Sequence, residues 1–84
     1  MMKREEILAR LKELLLSADE EKKTAVENCT EATGLTADLG LNSVGMLFMV
    51  LAVEEEFGIR FDNVGMADFR TIGDVIDYVE RKLS

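Results

Sequence analysis

Asp38-Leu39-Gly40-Leu41-Asn42-Ser43-Val44 stands at the centre of the chain and leads into an apolar run that reaches Val53 with only Gly45 interrupting it. Gly40 permits a tight turn, because a residue without Cβ enters left-handed backbone conformations freely. Asn42 is a strong helix N-cap, its side-chain oxygen suited to accept a backbone N–H from the first turn. Phe57-Gly58 closes the segment, with Gly58 as the left-handed residue just past the helix end. A helix therefore starts near Asn42-Ser43 and stops at Phe57, and Ser43 stands at its beginning, where a hydroxyl is exposed.

Towards the N-terminus, Ile7, Leu8, Leu11, Leu14, Leu15 and Ala18 recur at three- and four-residue steps, with Glu5, Glu6, Arg10, Lys12 and Glu13 opposite them. That pattern predicts an amphipathic helix over about residues 3–17. Residues 18–41 read as a long connection. Within it Thr24-Ala25-Val26-Glu27 has the form of a capping box, consistent with a short helix near 24–30. Thr33-Gly34 is a break, and Leu35 and Leu39 are expected to pin the loop to the core. Towards the C-terminus, Ile59-Arg60-Phe61 is extended, and Asp62-Asn63 opens a short segment, Val64 to Asp68, of one or two helical turns. Thr71-Ile72-Gly73-Asp74 is a capping box for a last helix whose apolar stripe is Ile72, Val75, Ile76, Val79 and Leu83. Strands, internal repeats and linkers are not indicated. The fold class expected is all-α: a small bundle of three longer helices plus one short helix, with a long loop between the first and second. Residues 1–84 form one domain in this reading.

Composition narrows the function. In 84 residues there is little room for a deep catalytic cleft, since a domain of this size buries only roughly 60–65% of its unfolded surface. There is no histidine, which excludes Ser-His and Cys-His nucleophile pairs and His-based zinc sites. Seventeen acidic against ten basic residues give a net charge of −7, unfavourable for binding nucleic acid. Residues 24–59 contain six acids and no Lys or Arg, so the imbalance sits in the middle of the chain. No apolar run has the length of a membrane helix, and the N-terminus has no signal-peptide core. The single cysteine, Cys29, cannot form an internal disulfide. A reducing cytoplasm is the expected location.

The stretch from Asp38 to Val44 resembles the signature of the acyl carrier protein family, in which Asp-Leu-Gly-x-Asp-Ser-Leu presents a serine for 4′-phosphopantetheine. The resemblance runs without a gap from about Leu35 to Tyr78, through Glu54-Glu55-Glu56-Phe57 and the pattern Thr71-Ile72 with Ile76-Asp77-Tyr78. It implies Ser43 as the attachment residue, with Asp38, Gly40 and Asn42 as its cofactor-binding neighbours. The cofactor would be 4′-phosphopantetheine, donated by coenzyme A and holding acyl or related groups as thioesters. Such a protein is not itself an enzyme. The partners implied are a phosphopantetheinyl transferase and the enzymes that load, modify and unload the cargo through basic docking patches; a monomer is expected. Placing a phosphodiester on Ser43 is physically sensible, because a helix start offers unbonded N–H groups and the positive end of the dipole.

Two departures from the family pattern concern recognition. The residue before the serine is Asn42 rather than Asp, which caps a helix about as well but carries no charge for a transferase to read; Val44 replaces the usual Leu. The second departure lies in the upper turns of the helix, where Asn42 through Phe48 contains no charge although the family's docking helix is commonly acidic throughout. Some of Val44, Leu47, Val50, Leu51 and Phe57 must face the core, leaving one or more of Met46, Phe48 and Met49 in solvent. Val44, Leu47, Phe48 and Leu51 are the apolar candidates for partner binding. Glu54, Glu55 and Glu56 are the acidic ones, because three anions in a helix's last turn oppose its dipole and need a reason other than helix stability. Asp74, Asp77 and Glu80 read as a solvated face, Tyr78 as a core-edge aromatic, and Cys29 as unreactive. Asp62, Asn63 and Asp68 lack calcium-loop spacing. Met46, Met49 and Met66 could repack around an acyl chain. The unusual helix points to a specialised pathway, with secondary lipid, hydroxyacyl, polyketide and aminoacyl cargo all open. The alternative is a carrier-like adaptor that binds protein and is never modified, for which the set Asp38, Gly40 and Ser43 would have no use.

Overall fold

The computed structural model describes residues 2–18, 21, 23–61 and 69–84. Its helices are α1 (Arg4–Ala18), α2 (Lys23–Glu27), α3 (Ser43–Phe57) and α4 (Ile72–Leu83), the all-α arrangement that the periodicities predict. The short helix is α2, and α1 packs against each of the other three. Among the described residues the only β feature is an isolated antiparallel bridge between Gly34 and Thr71. The expected short segment from Val64 to Asp68, with Asp62, Asn63 and Met66, lies outside the described residues.

The core follows from the stripes. Ile7, Leu11 and Leu15 of α1 are buried, and they meet Val26, Leu35, Leu39, Val53, Ile72, Val75, Ile76 and Val79. Leu35 and Leu39 do anchor the long loop. Tyr78 goes deeper than a core edge: it is buried, stacks on Phe61 with ring centroids 4.5 Å apart, meets Phe69 edge-on, and donates its hydroxyl to the Arg60 carbonyl at 2.9 Å. Burial also pushes the Cys29 thiol above its ordinary pKa, which leaves it a poor nucleophile.

One cap forms differently from the sequence reading. Helix α2 begins at Lys23, so Thr24 lies inside its first turn, where its carbonyl accepts both the backbone and the side-chain N–H of Asn28. By contrast, Thr71 and Asp74 make the full reciprocal capping box at the start of α4. The two Asp74-bound amides, from Arg70 and Thr71, hold its carboxyl below the usual range.

Asp77 and Glu80 are not a merely solvated face. Arg4 donates to Asp77 at 2.7 Å and to Glu80 at 2.8 Å, and it also engages Glu31 of the long loop. One guanidinium thus ties α1, the loop and α4 together. The hydrogen bond from Arg4 lowers the Glu31 pKa below its ordinary value.

Helix α3 is apolar on both sides. Met46, Met49, Val50 and Val53 are buried, whereas Val44 is 75%, Leu47 50%, Phe48 55% and Leu51 55% exposed. Of the residues expected to share the core, only Val50 is buried and Phe57 half-buried. Of Met46, Phe48 and Met49, the structure leaves Phe48 alone in solvent. The two methionines turn inward because they lie on the same helical face as Val53, roughly opposite Val44.

Two stability predictions follow from this packing. Phe48→Ser should change unfolding free energy by no more than about 0.5 kcal/mol, as at ordinary surface positions, whereas Ile76→Ala should cost about 2–5 kcal/mol; denaturant melts of both variants check the contrast. For the clamp, Glu31 has a folded pKa below its unfolded value, so its contribution is present at neutral pH and lost as pH falls through the folded pKa. Arg4→Gln should therefore lower the thermal midpoint at neutral pH, with the gap to wild type shrinking as the pH falls through the acidic range and in high salt.

Candidate functional site

The loop that delivers Ser43 is built by its own backbone. The Gly34 N–H donates to the Asp38 carboxylate at 2.6 Å, and the Gly34 carbonyl accepts from both Asp38 and Leu39. Gly40 and Leu41 then donate to the Thr36 and Leu35 carbonyls, each at 3.0 Å. Gly40 takes φ 68°, the left-handed turn expected of it. A second set of bonds fixes the loop to the entrance of α4: Leu35 N–H to the Arg70 carbonyl at 2.9 Å, Ile72 N–H to Thr33 at 3.0 Å, and Gly73 N–H to Glu31 at 2.8 Å. Gly73 is needed there, since a Cβ at that position would stand 2.9 Å from the Glu31 carbonyl oxygen.

Asn42 caps α3 as the sequence predicts. Its side-chain oxygen accepts the Gly45 N–H at 2.8 Å, and its carbonyl accepts the Met46 N–H at 2.8 Å. The Ser43 and Val44 amides in the first turn keep no such partner among the described residues. Ser43 is exposed. Its hydroxyl therefore stands at the positive end of a fifteen-residue helix, beside two available N–H donors and a neutral Asn42. An anionic group esterified to that hydroxyl fits this donor set. Such a group would supply reach and a reactive end; the protein's part is to fix the ester position and to offer the amide dipoles.

Two concave surfaces flank the helix start. One, of about 400 Å³, is mainly apolar and runs between α1 and α3, lined among others by Leu14, Leu15, Leu41, Val44, Phe48 and Met49. Ser43 itself opens onto the other, together with Thr36, Asp38, Asn42, Met46 and Arg70. Asp38, Asn42 and Ser43 line this second groove together, whereas Gly40 lines the apolar one. One of the Asp38 carboxylate oxygens is committed to holding the loop.

At the far end of α3 the three glutamates separate. Glu54 accepts the Phe61 N–H at 2.9 Å, and Glu56 pairs with Arg10 at 2.5 Å. Glu55 is exposed and has no hydrogen-bond or ion-pair partner among the described residues. Two of the three anions therefore have structural work that the local sequence does not reveal. Arg70 was not legible as a neighbour of Ser43 either, because the two are joined only through the bridge between the loop and α4. No helix among the described residues is long and apolar enough to cross a membrane.

Residues 7–79 match the family described as phosphopantetheine attachment site. The chain is 34% identical, over 86 aligned positions covering 99% of each chain, to the acyl carrier protein of Thermotoga maritima. It is also 34% identical to the acyl carrier protein of Renibacterium salmoninarum, over 94% of each chain. A meromycolate extension acyl carrier protein of Mycolicibacterium smegmatis is 29% identical over 92% of this chain and 75% of that protein. An exposed serine at a helix start and a match from Ile7 through Val79 lead to one conclusion: the chain belongs to the acyl carrier protein family, whose members are carriers rather than enzymes and hold acyl groups on a covalent 4′-phosphopantetheine arm served by a phosphopantetheinyl transferase and acyl-handling enzymes.

Proposed function

We propose that Ser43 is the residue to which the phosphopantetheine arm is attached, in a single carrier domain spanning residues 1–84. The observation that carries this reading is the exposed Ser43 hydroxyl at the start of α3, beside the amides of Ser43 and Val44. Gly40 and Asp38 serve it indirectly, by shaping the turn that places Ser43 at the helix start. Asn42 serves as the cap; without the carboxylate common at this position, a transferase suited to this chain reads other features of the loop. The apolar groove between α1 and α3 provides a wall against which an acyl chain leaving Ser43 can lie.

The surface that enzymes recognise, in this proposal, is the exposed stripe Val44, Leu47, Phe48 and Leu51, which ends on Glu55. Their spacing puts all five on one side of α3. Glu54 and Glu56 lie beside it but hold internal partners, so most of the electrostatic share falls to Glu55. The segment from residue 24 to 59, with no Lys or Arg, favours a partner with a basic rim around an apolar socket. The same one-signed charge disfavours self-association, in keeping with a monomer, and the cytoplasm is the proposed location. The meromycolate extension relative supports a lipid pathway, and the apolar docking stripe supports a specialised one within it.

Incubation with coenzyme A and a transferase from the host should add one arm, seen by intact mass and mapped to Ser43. Ser43→Ala should fold, since loss of a cap-region hydroxyl costs at most about 0.5–2 kcal/mol, and should accept nothing. A wild-type protein that no transferase modifies would turn the reading towards an unmodified adaptor.

Docking makes a separable prediction, measured as association and dissociation rates with a cognate enzyme. Glu55→Lys should slow association, with the difference shrinking as salt is added. Phe48→Ser should speed dissociation with little dependence on salt. Glu54→Lys and Glu56→Lys should lower stability as well as association, because each also breaks an internal contact.

A further inference from the structure

The groove onto which Ser43 opens has one cation on its described wall, Arg70. That cation comes from outside the acidic middle of the chain, where no Lys or Arg occurs. Its backbone is held on both sides: the Arg70 carbonyl accepts the Leu35 N–H at 2.9 Å, and its N–H donates to Asp74 at 2.9 Å. The guanidinium, unlike those of Arg4 and Arg10, has no hydrogen-bond or ion-pair partner among the described residues. The nearby carboxylates are already engaged, Asp38 by the Gly34 amide and Asp74 by the amides of Arg70 and Thr71. Asn42, next to Ser43, is neutral, so among the described residues Asp38 is the one carboxylate on the groove wall, set against the single cation Arg70.

We propose that Arg70 is the anion-binding residue of this groove and pairs with anionic oxygens of the group carried on Ser43. Those oxygens come from the phosphodiester at the base of the arm or from a carboxylate at the cargo end. A planar guanidinium fork matches either one with two parallel hydrogen bonds. This inference rests on Ser43 as the attachment residue.

The test follows the Arg70 Nε–H resonance by NMR, assigned through its loss in Arg70→Gln. It compares unmodified protein, protein bearing the free-thiol arm, and protein loaded with an acetyl or a succinyl group. A shift on arm attachment alone, reversed by high salt, assigns the phosphodiester. A shift confined to the succinyl form assigns the cargo carboxylate. Either outcome should be accompanied by a rise in thermal midpoint on the same step, lost in Arg70→Gln and largely kept in Arg70→Lys. A mass gain at Ser43 with an unmoved resonance in every form would overturn this inference and leave the attachment reading intact. Failure to gain mass would overturn both.

Discussion

The loop between α2 and α3 depends on its attachment to the entrance of α4. Three backbone hydrogen bonds, from Leu35, Ile72 and Gly73, make that joint, and Arg4 reinforces it by holding Glu31 together with Asp77 and Glu80. A chain segment this long would otherwise be free to wander, and long loops in small domains are commonly functional or mobile. Here the joint fixes the position of Gly34 and Leu35. Asp38, Gly40 and Asn42 then carry that placement forward, one turn at a time, to Ser43. The hydroxyl is thus presented on a short, hydrogen-bonded path from the bundle rather than at the tip of a loose arm.

Helix α3 divides its two apolar faces between two tasks. Met46, Met49, Val50 and Val53 complete the core, while Val44, Leu47, Phe48 and Leu51 remain in water. Leaving four large apolar side chains exposed is unfavourable for solubility unless something covers them at times, which is the ground for proposing this stripe as the docking surface. The net negative charge compensates by keeping copies of the chain apart. The division of the glutamates fits the same pattern: Glu54 is tied to the Phe61 amide and Glu56 to Arg10 on the surface, and Glu55 is exposed where the apolar stripe ends.

Much of the fold and the centre of the candidate site were legible in the sequence, and for local reasons. Both ends of α3 and the start of α4 follow from Asn42, Gly58, Thr71 and Asp74, whose effects reach only a turn along the chain. The stripes of α1 and α4 follow from a clear 3.6-residue period with polar residues opposite. Ser43, Gly40 and Asn42 belong to one short motif, so their grouping needed no tertiary information. Thr24 shows where local reading fails: its capping pattern is present, but the helix already includes Lys23 and the pattern goes unused.

The sequence by itself determined an all-α chain, the starts of its long helices and the stop of α3, and a serine placed where a helix offers unbonded amides, because capping and periodicity are properties of neighbouring residues. Tertiary structure alone decided which side of α3 is buried. Apolar residues surround the upper part of that helix, so no period singles out a face until α1 and the loop pack against it. Tertiary structure also decided that Asp77 and Glu80 hold Arg4, that Glu56 holds Arg10, and that Arg70 lines the groove of Ser43. Each of these joins residues 27 or more positions apart, and the energy of a charge pair depends on distance in space, which the order of residues does not encode.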